Sequence, residues 1–140
     1  MSEEATTTAS VYERVGGMPF FERLVDHFYD GVEDDPVLAP LYPEAPDFTG
    51  ARHRLTLFLA QYWGGPTTYN EERGHPMLRA RHMPFPVGPA QRDRWMVHMT
   101  AALEASGAPP AIRDEMLAYF VRAADHLRND PRPGTLPLMP

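Results

Sequence analysis

The chain has 140 residues, enough for one domain with a real core and too few for two. It contains no cysteine, which rules out disulfides, thiolate nucleophiles, zinc–thiolate sites, iron–sulfur clusters and thioether-attached cofactors. Its net charge is −6, every positive side chain is an arginine, and no arginine cluster interleaves with aromatics, so counterion release offers little and nucleic acid is not the expected partner.

Hydrophobic spacing is helical from end to end, with no run of alternating apolar and polar residues. The reading is an all-α domain over residues 11–128, between a flexible segment 1–10 and a disordered, proline-rich tail 129–140. Met1 to Ser10 resemble neither a signal nor a transit peptide. The longest apolar run, Leu55 to Trp63, is interrupted by Thr56 and Gln61, so a cytoplasmic protein without a membrane span is expected.

Ser10 is placed to cap a short helix that ends at Gly16-Gly17, and Pro19 suits the first turn of the next. That second helix carries Phe21, Leu24, Val25, Phe28 and Val32 on one stripe, with Tyr29 beside it, and ends near Asp34-Asp35-Pro36. Val37 to Pro43 reads as a turn-rich corner that holds Tyr42. A helix from Thr49 to Trp63 turns Ala51, Leu55, Phe58, Leu59 and Tyr62 inward and stops at Gly64-Gly65-Pro66. The polar stretch Thr67 to Gly74 is expected to be a loop, followed by a short helix from Pro76 to His82. Two further helices are expected, Pro89 to Ala105 with Trp95, Met96, Met99 and Leu103 inward, and Pro110 to Leu127 with Ile112, Met116, Tyr119, Phe120 and Ala123.

Six histidines are present, and none pairs with another at helical ligand spacing. His27, His98 and His126 read as structural or exposed, and His53 faces away from Ala51 and Leu55. His75, between Gly74 and Pro76, suits a cap or a packing role better than a metal. His82 stands apart, within Arg79-Ala80-Arg81-His82-Met83-Pro84-Phe85 at the end of a short helix. A neutral imidazole there, with Arg81 alongside for a propionate and Leu78 one turn earlier to lie under a flat ring, reads as an axial ligand to haem iron.

Tyr29, Tyr42 and Trp95 share one trait, a broad apolar body with a single donor at its tip. Such donors suit a ligand that gains negative charge on binding in an apolar pocket, such as dioxygen. The same three residues would also serve as ordinary core aromatics, in which case the chain is a cofactor-free helical interaction module; an absorption spectrum separates the two.

The segments Val15-Gly16-Gly17, Phe28-Tyr29, Leu41-Tyr42-Pro43-Glu44, Phe58 to Pro66, Arg73-Gly74-His75-Pro76, Arg81 to Phe85 and Arg92-Asp93-Arg94-Trp95 occur in an order that resembles a truncated haemoglobin of the second group, the O-type of actinobacteria. The resemblance covers nearly everything from Val11 to Leu127. It implies a two-over-two helical sandwich around haem b, iron protoporphyrin IX held non-covalently, with His82 on the iron and His75 outside its first shell. It puts Tyr29, Tyr42 and Trp95 on the distal side, Ala51 where a larger globin has its distal histidine, and Leu55 in the pocket wall. Arg54 and Arg81 become propionate partners, and Phe58, Leu78, Phe85 and Met99 pack the haem.

The function this implies is binding of dioxygen, carbon monoxide, nitric oxide or peroxide with slow release, for nitric oxide dioxygenation or peroxidase-like turnover rather than bulk transport. An external electron donor or reductase would complete the cycle, and the assembly would be a monomer or homodimer. The alternative is an oxygen sensor or store read by a protein partner.

Overall fold

Residues 9–74 and 88–127 are described by the computed structural model. Ser10 closes the start of α1 (Val11–Arg14) reciprocally: its hydroxyl accepts the Glu13 N–H at 3.2 Å while the Glu13 carboxylate accepts the Ser10 N–H at 3.2 Å. So short a helix needs an outside anchor. The Tyr12 N–H donates to the Trp63 carbonyl at 2.9 Å, and the Tyr12 ring stacks on Phe21 with centroids 5.8 Å apart.

Gly16 and Gly17, at φ 98° and 82°, make the left-handed turn into α2 (Met18–Glu33), whose first turn contains Pro19. The expected stripe on α2 is fully sequestered, and Phe20 and Tyr29 are buried with it. α2 is the central element, in contact with both α3 (Thr49–Tyr62) and α5 (Pro89–Ala105). α6 (Pro110–Leu127) packs on α5, and a short 3₁₀ turn, Ala39–Leu41, forms the corner between α2 and α3. No strand occurs among the described residues, in accord with the all-α expectation.

The stretch expected to be a loop contains α4 (Thr68–Arg73). A single turn and a half shows no apolar stripe in sequence, because tertiary contacts decide it. Asn70 and Gln61 exchange two hydrogen bonds at 3.0 and 3.1 Å, and Tyr69 is buried with its ring edge-on to Phe58 at 5.5 Å. Tyr62 is a second departure: it was expected inside, yet it is 49% exposed and lies against Tyr119 at 4.1 Å. The segment 75–87, which carries His75, Leu78, Arg81, His82 and Phe85 and the helix expected from Pro76, lies outside the described residues, as do the tail 129–140, residues 1–8 and the side chain of His126.

Candidate functional site

α2, the corner, α3, α4, α5 and α6 together wall a cavity of about 520 Å³. That is the size of a cofactor site, roughly 300–1,000 Å³. Seven of the residues singled out in the sequence line it: Tyr29 from α2, Tyr42 from the corner, Ala51, Arg54, Leu55 and Phe58 from α3, and Trp95 from α5. Met99 is not among the lining residues; it is fully buried in the core.

The donor-bearing rings form one connected aromatic wall. Tyr29 meets Tyr42 edge-on with centroids 5.6 Å apart, and Phe48 closes the other side of both at 5.9 and 5.3 Å. Phe28 bridges from Tyr29 at 4.9 Å to Trp95 at 5.2 Å, and Phe120 backs Trp95 at 5.7 Å. Burial pushes the Tyr29 hydroxyl well above the usual phenol range, reinforced by the neighbouring Tyr42. Burial likewise pushes Tyr42 up to about 12. Both hydroxyls keep their protons at any physiological pH.

Charge gathers at the more exposed part of the lining. Arg54 pairs with Glu44 at 3.1 Å, and both line the cavity. Arg73 and Arg92 line it too; Arg92 is held by Asp125 at 2.8 Å and Asp93 at 2.9 Å. Neither arginine was singled out in the sequence, although both lie in the segments that carry the resemblance. The remaining lining is largely apolar, with Leu38, Leu41, Leu59 and Phe120 beside Leu55 and Phe58. An apolar slot with guanidinium groups at its edge and neutral donors within fits a flat, carboxylate-bearing macrocycle.

Outside the cavity, Arg52 on α3 reaches Asp26 and Asp30 on α2 at 3.0 Å each and also Glu33, and sits 5.8 Å over the Tyr29 ring. Asp35, immediately after α2, is fully buried and accepts from Arg94 at 2.9 Å and His98 at 2.6 Å. Burial would raise its pKa, but hydrogen bonds from His98, the Val37 N–H and Arg94 prevail and hold it below 3.8. His27 and His53 are exposed, and His53 bonds Glu72 at 3.0 Å.

The family profile described as "Bacterial-like globin" matches residues 10–129. The chain is a group II truncated globin. It is 40% identical over 118 residues to a group 2 truncated hemoglobin of Bacillus subtilis, covering 84% of this chain and 87% of that one. The solved structure of a thermostable hemoglobin from the actinobacterium Thermobifida fusca matches with a TM-score of 0.86 and 49% identity, over 89% of this globin and 100% of that chain. A hemoglobin from Chloroflexus aurantiacus matches with a TM-score of 0.84 and 48% identity, over 87% and 99%. The two-over-two architecture follows, and with globin membership come a haem cofactor and small diatomic ligands such as dioxygen. No helix among the described residues is long and apolar enough to cross a membrane.

Proposed function

We propose that this globin holds haem b non-covalently in the cavity, with His82 as the axial ligand, and uses the bound diatomic ligand for redox chemistry, either nitric oxide dioxygenation or peroxidase-like turnover with electrons from an external reductase. The observation that carries the reading is the convergence of Tyr29, Tyr42 and Trp95 on one cavity wall. When bound, haem supplies the ferrous centre at which the ligand takes up negative charge.

The chain's own residues do the rest. Leu55 and Phe58 on α3 line the cavity with apolar surface that excludes water. Arg54, Arg73 and Arg92 are the candidates to hold the propionates, as the planar guanidinium fork suits a carboxylate. Arg81, Leu78 and Phe85 are proposed beside them from the sequence. Tyr29, Tyr42 and Trp95 donate to the ligand from that wall. Ala51 has no donor and leaves that part of the lining open. Several donors on one ligand retard its release, which suits chemistry on the ligand better than delivery of it.

Mixing the oxygenated protein with nitric oxide in a single turnover should give nitrate one for one with loss of the ferrous form; the ferric form with peroxide and a phenolic reductant tests the other branch. If neither reaction outpaces free haem, the redox reading fails. For His82→Gly, loss of the five-coordinate ferrous spectrum with partial recovery on adding imidazole is expected. An unchanged spectrum assigns the iron to another residue.

A further inference from the structure

Asp35 does not line the cavity, yet it ties together two elements that do. One carboxylate oxygen, Oδ2, accepts from Arg94 Nε at 2.9 Å and His98 Nε2 at 2.6 Å, both on α5. The other, Oδ1, accepts the Val37 N–H at 2.8 Å and the Leu38 N–H at 3.4 Å, and the Asp35 carbonyl accepts the Ala39 N–H at 2.9 Å. One oxygen therefore holds the helix that carries Trp95 and the other holds the corner that leads to Tyr42.

The arrangement is local to the donors on both sides. Trp95 follows Arg94 directly and lies one turn before His98, while Tyr42 ends the 3₁₀ turn that begins after Leu38. The sequence also gives up helix propensity to seat the histidine. Gly31 sits inside α2, where glycine weakens a helix, and a Cβ there would lie 2.4 Å from His98 Nδ1. Only bare backbone lets the His98 ring pass α2 and reach Asp35.

Resting on the reading that Tyr42 and Trp95 hold the ligand, we propose that Asp35, with His98 and Arg94, is a positioning clamp that fixes these two donors relative to each other and so sets the rate of ligand release. Asp35 touches neither ligand nor cofactor in this scheme. It acts through the corner and α5. A carboxylate suits the task because it accepts from every side at once, whereas an amide would present its own N–H groups to the donors of Arg94 and His98.

The test uses the haem-loaded protein and dioxygen dissociation by stopped-flow displacement. Asp35→Asn is expected to speed release by about five- to tenfold and to broaden the C–O stretching band of the carbon monoxide complex, because the donors take up several positions. In a Tyr42→Phe background the same substitution should speed release less than twofold, the coupling expected of a residue acting through Tyr42. His98→Gln, which keeps a donor towards Asp35, should stay near the parent rate, while His98→Leu and Gly31→Ala should match Asp35→Asn. Full multiplication of the Asp35 and Tyr42 effects, or a parent-like rate in His98→Leu, overturns the clamp. If Asp35→Asn does not fold, the contrast of His98→Gln with His98→Leu decides it. Should Tyr42→Phe and Trp95→Phe themselves leave release unchanged, the donor reading falls; should they speed it while Asp35→Asn, His98→Leu and Gly31→Ala do not, the clamp alone falls.

Discussion

Removing one hydroxyl at a time from Tyr29 and Tyr42 tests each phenol as a donor to the ligand. Burial raises both phenols above their usual range, so each keeps a proton to donate. Phenylalanine at either position preserves the ring contacts, such as Tyr29 with Phe28 at 4.9 Å and Tyr42 with Phe48 at 5.3 Å, so the hydroxyl is the only group lost. A hydrogen bond to a group carrying charge contributes about 1.5–3 kcal/mol, so Tyr42→Phe and Tyr29→Phe should each speed dioxygen release roughly ten- to hundredfold. A phenol whose proton went to a neutral neighbour instead would contribute only about 0.5–1.5 kcal/mol, for roughly two- to tenfold. Stopped-flow displacement of dioxygen by carbon monoxide measures both, with the Soret band and far-ultraviolet dichroism as controls for haem loading and fold. A parent-like off-rate in either variant would refute the reasoning for that phenol and remove it from the ligand.

Three predictions concern stability. Asp35 is held below 3.8 in the native state, so as pH falls the unfolded chain binds its proton first; the stabilisation is complete above about pH 5 and is lost as pH drops through the native value. Urea titrations at stepped pH should show a shallower acid decline for Asp35→Asn than for the parent. A Cβ at Gly65 would lie 2.5 Å from the Tyr12 ring and 2.8 Å from the Ala60 carbonyl, so Gly65→Ala should cost about 1–3 kcal/mol by forcing α1 away from the end of α3; a parent-like Tm would contradict this. Phe21 is fully buried between Tyr12 and Phe20, and Phe21→Ala should lower stability by about 3–5 kcal/mol and Tm on the order of 10–20 °C, read by calorimetry.

The long helices were legible because their ends carry local chemistry. α5 and α6 begin at Pro89 and Pro110, and α3 gives way to the Gly64-Gly65-Pro66 stop, as their sequences imply. α4 was missed because the Gln61 side chain on α3 stabilises it from outside its own six residues, through Asn70. Tyr62 falls at an apolar position in the pattern, but its partner Tyr119 lies near the surface, and nothing within α3 encodes that. The donor trio was legible from side-chain chemistry together with the resemblance. Asp35 was not, since it meets His98 across 63 positions and neither belongs to a local motif; a glycine inside an otherwise strong helix was the available signal. Arg73 and Arg92 could have been found as cations on helices whose other residues face the cavity. His82 and its neighbours lie outside the described residues and remain an expectation of the sequence.

The donors reach their common wall from distant stretches of chain: Tyr29 from α2, Tyr42 from the corner, and Trp95 from α5, beyond α3 and α4. No contiguous fragment of the chain short of 29–95 contains all three, so the wall exists only when these elements are packed on one another. Ligand grip is thereby a reporter of folding cooperativity. Warming that frays one helix should release the ligand before bulk helicity falls, because the slow off-rate belongs only to the fully assembled native state.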